Sequence, residues 1–183
     1  LTQVLLKKNK VVVYDEFFFK WLFKNRKKIK FNNRLKIIKK DILNATSSDF
    51  KNIDIVCDLN GIPNDPSSEL NKKHTWGVNY YGRKKFAEIA KKAGVRRYIF
   101  NSTCAVYGFN KNTVNENSKT NPLSTYAKAN LKAEKAILKL SSINFKVNIL
   151  RNSTLFGFSQ NLRLDLVINI FVNSLINTGN ITV

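Results

Sequence analysis

The 183-residue chain contains no methionine, not even at position 1. Translation begins with Met, so the sequence predicts that the natural N-terminus lies upstream of Leu1. The opening "LTQVLLKKNK" agrees, because it reads as the second half of an amphipathic helix with no cap before it. Cysteine is also scarce. Cys57 and Cys104 match no metal-ligand spacing, and two cysteines make no disulfide framework. That excludes a zinc module and a stapled secreted scaffold; reduced thiols fit a cytoplasmic protein. Cys57 lies in an apolar run and is expected in the core. No apolar run is long enough to span a bilayer, and no signal-peptide pattern is present. The seven glycines, at 61, 77, 82, 94, 108, 157 and 179, form no phosphate-cradling loop.

Acidic residues are few, 12 against 32 Lys and Arg, for a net charge of +20. Such a balance suits nucleic acid or an anionic membrane. The basic residues, however, run from Lys7 to Arg163 between apolar positions, as on solvated faces. No recognition helix or stacking platform is evident, so no nucleic-acid partner is expected. The exception is 20–40, ten basic residues without an acid, preceded by "EFFFKWLF". It suits a basic amphipathic helix lying on a membrane surface.

What is present is an alternation of short apolar runs with helical patterns. "VVVYD" (11–15), "LKIIKKDI" (35–42), "IDIVCDL" (53–59), "RRYIFNST" (96–103) and "FKVNILR" (145–151) read as strands. A loop with Gly61, Pro63 and Pro66 precedes a long helix over 68–93 closed by Gly94. Further helices are expected over 122–141, with Pro122 in the first turn, and over 162–177. Strands alternating with such helices predict a doubly wound α/β fold: a parallel sheet with helices on both faces, incomplete at its N-terminus.

In such sheets ligands bind beyond the carboxyl ends of the strands. Asp15 ends the first strand, where a carboxylate can accept from both ribose hydroxyls and repel a 2′-phosphate, favouring NAD over NADP. Asp41 and Ile42 end the second, where they could meet an adenine edge. Leu59, Asn60 and Gly61 end the third, and Gly61 allows close backbone approach. The phosphate-cradling loop of a dinucleotide fold belongs between its first strand and first helix, a part expected before Leu1.

"NSTCAVYG" (101–108) followed by "NPLSTYAKANLKAE" (121–134) resembles the extended short-chain dehydrogenase/reductase family, the NAD-dependent nucleotide-sugar epimerases and dehydratases. "VNYYG" (78–82), "AGVRRYIF" (93–100) and "LRNSTLFG" (150–157) resemble further blocks of that family in the same order. The resemblance implies a Rossmann-like domain over 1–160, with 161–183 beginning a substrate-binding region. It implies NAD as cofactor, a nucleotide-sugar substrate and room for a homodimer.

Residue by residue, it implies that Tyr126 is the acid/base for the sugar hydroxyl and that Thr103 hydrogen-bonds the same oxygen. It places Asn79 near cofactor and substrate, and Asn101, Asn152 and Ser153 at the nicotinamide end. Thr154 stands where some epimerases use asparagine on the substrate diphosphate. Sugar dehydratases carry an Asp-Glu pair after the threonine; here Cys104 and Ala105 stand there, which argues against dehydration.

Asn130 departs from the family's pattern, which has lysine four residues after the tyrosine and on the same helix face. A phenol titrates near pH ~10 in water, and a base should titrate nearer the working pH. Asparagine can bond the nicotinamide ribose but adds no charge. Lys128 and Lys132 lie roughly 160° and 120° around the helix from Tyr126. The exchange therefore predicts impaired epimerisation, with loss of a pKa shift equivalent to about 3–4 kcal/mol. The alternatives are an NAD-binding protein with little catalysis and a basic nucleic-acid-binding domain. The chain alone is expected to be poorly stable and not to bind NAD, since the strand before Leu1 belongs mid-sheet, between 11–15 and 53–59.

Overall fold

The computed structural model describes residues 1–17, 33–157 and 162–182. These form two compact units, Leu1–Arg151 and Asn152–Val183. The first holds nearly all the elements. A short helix α1 (Thr2–Leu5) leads into strand β1 (Val11–Asp15), which pairs in parallel with β2 (Leu35–Lys39), Val11 opposite Leu35. Strand β3 (Ile55–Asp58) pairs in parallel with β4 (Arg97–Thr103), and β5 (Lys146–Asn152) follows beyond β4.

Five strands were expected in one sheet; they form two, β1-β2 and β3-β4-β5. Among the described residues no strand pairs with the open edge of β1 or of β3, so the backbone ladder is interrupted between them. The core nevertheless spans both. Val56, Tyr98 and Phe100 point from β3 and β4 into a cluster with Phe86, Ala87, Ala90, Ala133 and Ile137, against which Tyr14 of β1 packs. Tyr14 meets Phe86 edge-on at 5.3 Å, and its hydroxyl donates to the Asp41 carbonyl oxygen.

Cys57 is not in this core. It is exposed, as is Ile55, while Val56 and Asp58 are buried. Side chains alternate across a strand, so an apolar run does not reveal which of its members faces inward. The buried face of β3 includes a carboxylate, and the thiol faces out.

The expected helix over 68–93 is a chain of pieces: α2 (Asp65–Leu70), α3 (Lys72–Trp76), a π-helical turn (Gly77–Gly82) and α4 (Arg83–Lys92). Asn71 divides the first two. Its side chain accepts from the His74 N–H and so starts a new helix instead of continuing the old one. Gly82 is needed for packing: a Cβ there would lie 2.9 Å from Leu43 Cδ2. Helix α5 (Thr125–Leu138) begins after Pro122, with Ser124 as its cap. Its run of alanines lets the backbone lie close to β4 and α4, burying Ala127, Ala129 and Ala133.

The second unit contains α6 (Val167–Thr178), stopped by Gly179 in the left-handed conformation. Asn169 ties its first turn to the preceding loop, accepting from Gly157 N–H and donating to the Arg163 carbonyl. The membrane-surface helix anticipated within 20–40 lies outside the described residues over 18–32; the end of that stretch is strand β2. No helix among the described residues is long and apolar enough to cross a membrane.

Candidate active site

The start of α5 is held from outside. Its first N–H groups have no partners within the helix and must find them elsewhere. Thr125 N–H donates to Glu69 Oε1 at 2.8 Å, Tyr126 N–H to Ser68 Oγ at 3.2 Å, and Ala127 N–H to Ser124 Oγ at 3.1 Å. Two of these acceptors come from α2. Hydrogen bonds from Thr125 hold the Glu69 carboxyl down at about 2. Tyr126 is thereby placed by a clamp between α2 and α5, which the motif around the tyrosine does not reveal; "SSEL" (67–70) was the available signal.

Thr103 ends β4 in extended backbone and is buried. Its Oγ1 accepts from Ala105 N–H at 3.1 Å, opening the tight turn Cys104–Tyr107 and leaving its own proton to donate. Burial pushes the Tyr126 phenol above its usual range. Hydrogen bonding with Thr103 and the charge of Arg83 pull it back, while Asp65 and Cys104 push it up. The Thr103 hydroxyl at the carboxyl end of β4 thus bears on the Tyr126 phenol.

Arg83 was not anticipated, and it makes four hydrogen bonds beneath the site. Its guanidinium is almost fully buried. Nε donates to Asp58 Oδ2 at 2.9 Å, one terminal nitrogen to Asn130 Oδ1 at 2.8 Å, and the other to the carbonyls of Asn101 and Asp58. Its plane lies 3.7 Å from the centre of the Phe100 ring. Tyr98 donates its hydroxyl to the same Asp58 oxygen, and burial pushes that phenol well up. A signal existed: Arg83 precedes Phe86, Ala87 and Ala90 at the 3, 4 and 7 spacing of one buried helix face.

Asn130 is buried and internally bonded. Its Oδ1 is turned to Arg83, and its Nδ2 donates to the Tyr126 carbonyl at 2.9 Å. Asn79 is likewise committed: its amide accepts from Ile62 N–H at 2.7 Å and donates to Ile62 O at 3.1 Å. This latches the loop after β3. Gly61, at φ 143°, passes so close that a Cβ would sit 3.2 Å from Asn79 Oδ1.

A second buried network braces α5 against the sheet. Ser102 donates its hydroxyl to Glu134 Oε1, and Arg151 of β5 grips both Glu134 oxygens, closest at 2.8 Å. Arg151 also donates to the Tyr107 hydroxyl. The carboxylate raises the Arg151 guanidinium pKa.

The remaining expected positions lie where strands end. Asp15 is exposed at the end of β1, accepting from Phe17 N–H; Asp41 caps the turn after β2 through Leu43 N–H, with Ile42 buried beside it. Leu59 is exposed, and Asn60 folds back on Asp58. Asn101 lies on β4 two residues before Thr103. Asn152, Ser153 and Thr154 fall in the second unit, with Ser153 and Thr154 exposed. These groups suit the two ends of a dinucleotide: carboxylates that can accept from an adenosine ribose, and hydroxyl and amide groups that can bond a nicotinamide ribose. Among the described residues there is no glycine-rich cradle for the diphosphate. A concavity of about 760 Å³ lies at the opposite strand ends, around Arg96, Arg97 and Lys146, and contains none of these residues.

Comparison with known proteins shows the family. The model of the NAD dependent epimerase/dehydratase family matches residues 1–183. The uncharacterized UDP-glucose epimerase YtcB of Bacillus subtilis (strain 168) is 30% identical over 161 residues, covering 84% of this chain and 51% of its own. The structure of UDP-glucuronic acid 4-epimerase from Bacillus cereus, in complex with UDP-glucuronic acid and NAD, superposes with a TM-score of 0.81 at 26% identity, covering 95% of this chain and 58% of its own. UDP-N-acetylglucosamine 4-epimerase from Methanobrevibacter ruminantium M1 gives a TM-score of 0.80 at 25% identity, covering 95% and 57%. The chain therefore spans about half the length of these relatives. With a family model matched along its full length and a parallel α/β fold shared with solved relatives, this chain belongs to the NAD-dependent epimerase/dehydratase family.

Proposed function

We propose that the protein is a nucleotide-sugar epimerase and that this chain carries its NAD-binding part and its acid–base residues. The observation that carries this reading is that Thr103 ends β4 with its hydroxyl proton left to donate, close enough to bear on the Tyr126 phenol at the start of α5. Two hydroxyls so placed can share one substrate oxygen. Thr103, with an acceptor site already used by Ala105 N–H, donates to that oxygen and holds it. Tyr126, as phenolate, takes the hydroxyl proton at its Oη and returns it when the alcohol re-forms.

NAD, when bound, supplies the hydride acceptor and donor that such an exchange requires. Asp15 and Asp41 would hold its adenosine end, Leu59 to Gly61 would line its middle, and Asn101 would face its nicotinamide end. Asn79 supports that surface by latching the Gly61–Ile62 loop.

Cys104 and Ala105 offer neither the acid nor the base that elimination of water needs, which favours epimerisation over dehydration. Since Asn130 is uncharged, phenolate formation is less favoured than with lysine at that position. The sugars named in the relatives, UDP-glucose, UDP-glucuronic acid and UDP-N-acetylglucosamine, are the substrates to try first. The test is to incubate the full-length protein with NAD and each UDP-sugar and to separate the epimers. The expected result is interconversion without net accumulation of NADH. Tight NAD binding with no epimer from any sugar would support the second reading, a binding protein with little catalysis.

A further inference from the structure

We infer that Arg83 supplies, through Asn130, the positive charge that biases Tyr126 toward its ionised form. The inference rests on the reading of Tyr126 as the acid–base group, and it concerns where that group's cation comes from.

The position four residues after Tyr126 holds a neutral amide, yet a cation lies directly behind it. Arg83 and Asn130 meet at 2.8 Å, and Asn130 in turn donates to the Tyr126 carbonyl at 2.9 Å. Arg83 and Asn130, both buried, therefore form one hydrogen-bonded series across α4 and α5 that ends on the Tyr126 backbone carbonyl. The guanidinium is nearly excluded from water, so its field around the start of α5 is weakly screened. It is also held rigidly: four hydrogen bonds, one of them the ion pair with Asp58, and the Phe100 face fix its orientation.

A lysine at 130 would have to place its ammonium in the volume Asn130 now occupies, against Arg83. Arginine at 83 and lysine at 130 are thus mutually exclusive, while arginine with asparagine is a matched pair. The groups facing Tyr126 are Arg83 from α4, Asp65 from the start of α2, Thr103 from β4 and Cys104 from the turn after it. Arg83 is the cation of that set. Asp58 binds the far, Nε side of the guanidinium and offsets part of its charge; the nitrogen facing Asn130 is on the other side.

This makes Arg83 a positioning residue, and Asp58 its modulator, with opposite expected effects. The experiment places fluorotyrosine at position 126 of the full chain and follows its ionisation by fluorine NMR against pH, a reading that requires no turnover. Neutralising the pair together, Arg83→Gln with Asp58→Asn, avoids leaving a buried carboxylate alone. It is expected to move the titration to higher pH and to lower kcat at neutral pH roughly tenfold. Asp58→Asn alone, which frees the guanidinium charge, is expected to move it to lower pH. Arg83→Lys is expected to restore most of the shift. Asn130→Asp, a carboxylate set against Arg83, moves it upward and serves if the double variant does not fold.

A titration that ignores all of these substitutions overturns the assignment. Displacements of the expected sign without epimerisation in any variant would instead leave Arg83 in this role and defeat the epimerase reading. Epimerisation with an unmoved titration would defeat only the role of Arg83.

Discussion

Ser68 and Tyr126 are joined by a hydrogen bond from the Tyr126 N–H to Ser68 Oγ, across 58 positions of sequence. The same hydroxyl donates to the Asp65 carbonyl at 2.7 Å, so it is fixed within α2 before it reaches α5. The tyrosine that the motif singles out is therefore oriented by a helix that the motif does not include.

The clamp has a pH dependence. Glu69 is held at about 2 in the folded protein, below the ordinary 4.5 of a glutamate, first by the Thr125 N–H. Its folded value is depressed, so its contribution is fully present above about pH 4.5 and is lost as pH falls through the window toward 2. Melting temperatures of wild type and Glu69→Gln should differ at neutral pH and converge as pH falls through that window. A constant difference down to pH ~2 would show that the carboxylate's charge is irrelevant.

Replacing Tyr126 with Phe should reduce kcat by roughly 10²- to 10⁴-fold while leaving urea unfolding within about 0.5 kcal/mol of wild type, since the backbone anchors of α5 remain. Because burial leaves the phenol above its usual range, wild-type activity should rise with pH through the alkaline region. A flat profile would remove Tyr126 from the role of base.

Glu134 is almost completely buried and bound by Ser102 and Arg151. Glu134→Ala should cost about 3–5 kcal/mol, because it leaves the Arg151 guanidinium without its counter-charge. Denaturant unfolding measures this directly, and a loss under about 1 kcal/mol would mean that water replaces the carboxylate freely.

Restoring lysine by Asn130→Lys is expected from sequence to raise activity. Arg83 reverses that expectation. Two cations would meet in a buried space, and the variant should lose about 3 kcal/mol or more of stability without gaining turnover. Combining it with Arg83→Gln should recover both. An active, stable single variant would show that the space accommodates both charges.

Gly82→Ala tests the fit of the π-helical turn. A methyl group 2.9 Å from Leu43 Cδ2 and 3.3 Å from Ile42 Cγ2 forces a shift in both. A loss of about 1–3 kcal/mol is expected from overpacking, read by thermal or denaturant unfolding. An unchanged midpoint would mean that Leu43 simply rotates away.

Much of the fold was legible because its signals are local. All five strands were read within three residues at each end, β1 without error, because β-branched runs bounded by polar residues leave little ambiguity. Ends of helices were harder: Asn71 was read as helix interior and is a boundary, a property of how its side chain bonds locally. The inward direction of β3 was misread for a different reason. "IVCD" contains three residues that could each be buried, and only packing against α4 and α5 selects Val56 and Asp58.

By itself, then, the sequence determined the parallel α/β class and the order of its elements, since short-range periodicity specifies these, and its resemblance to a family singled out Tyr126 and Thr103 as the candidate pair. The tertiary structure alone decided that the ladder divides between β1 and β3, that Asp58 faces inward, and that Arg83 stands behind Asn130. Those outcomes depend on contacts between residues tens of positions apart, 47 in the case of Arg83 and Asn130. No pattern along one segment reveals which distant cation a buried amide will meet.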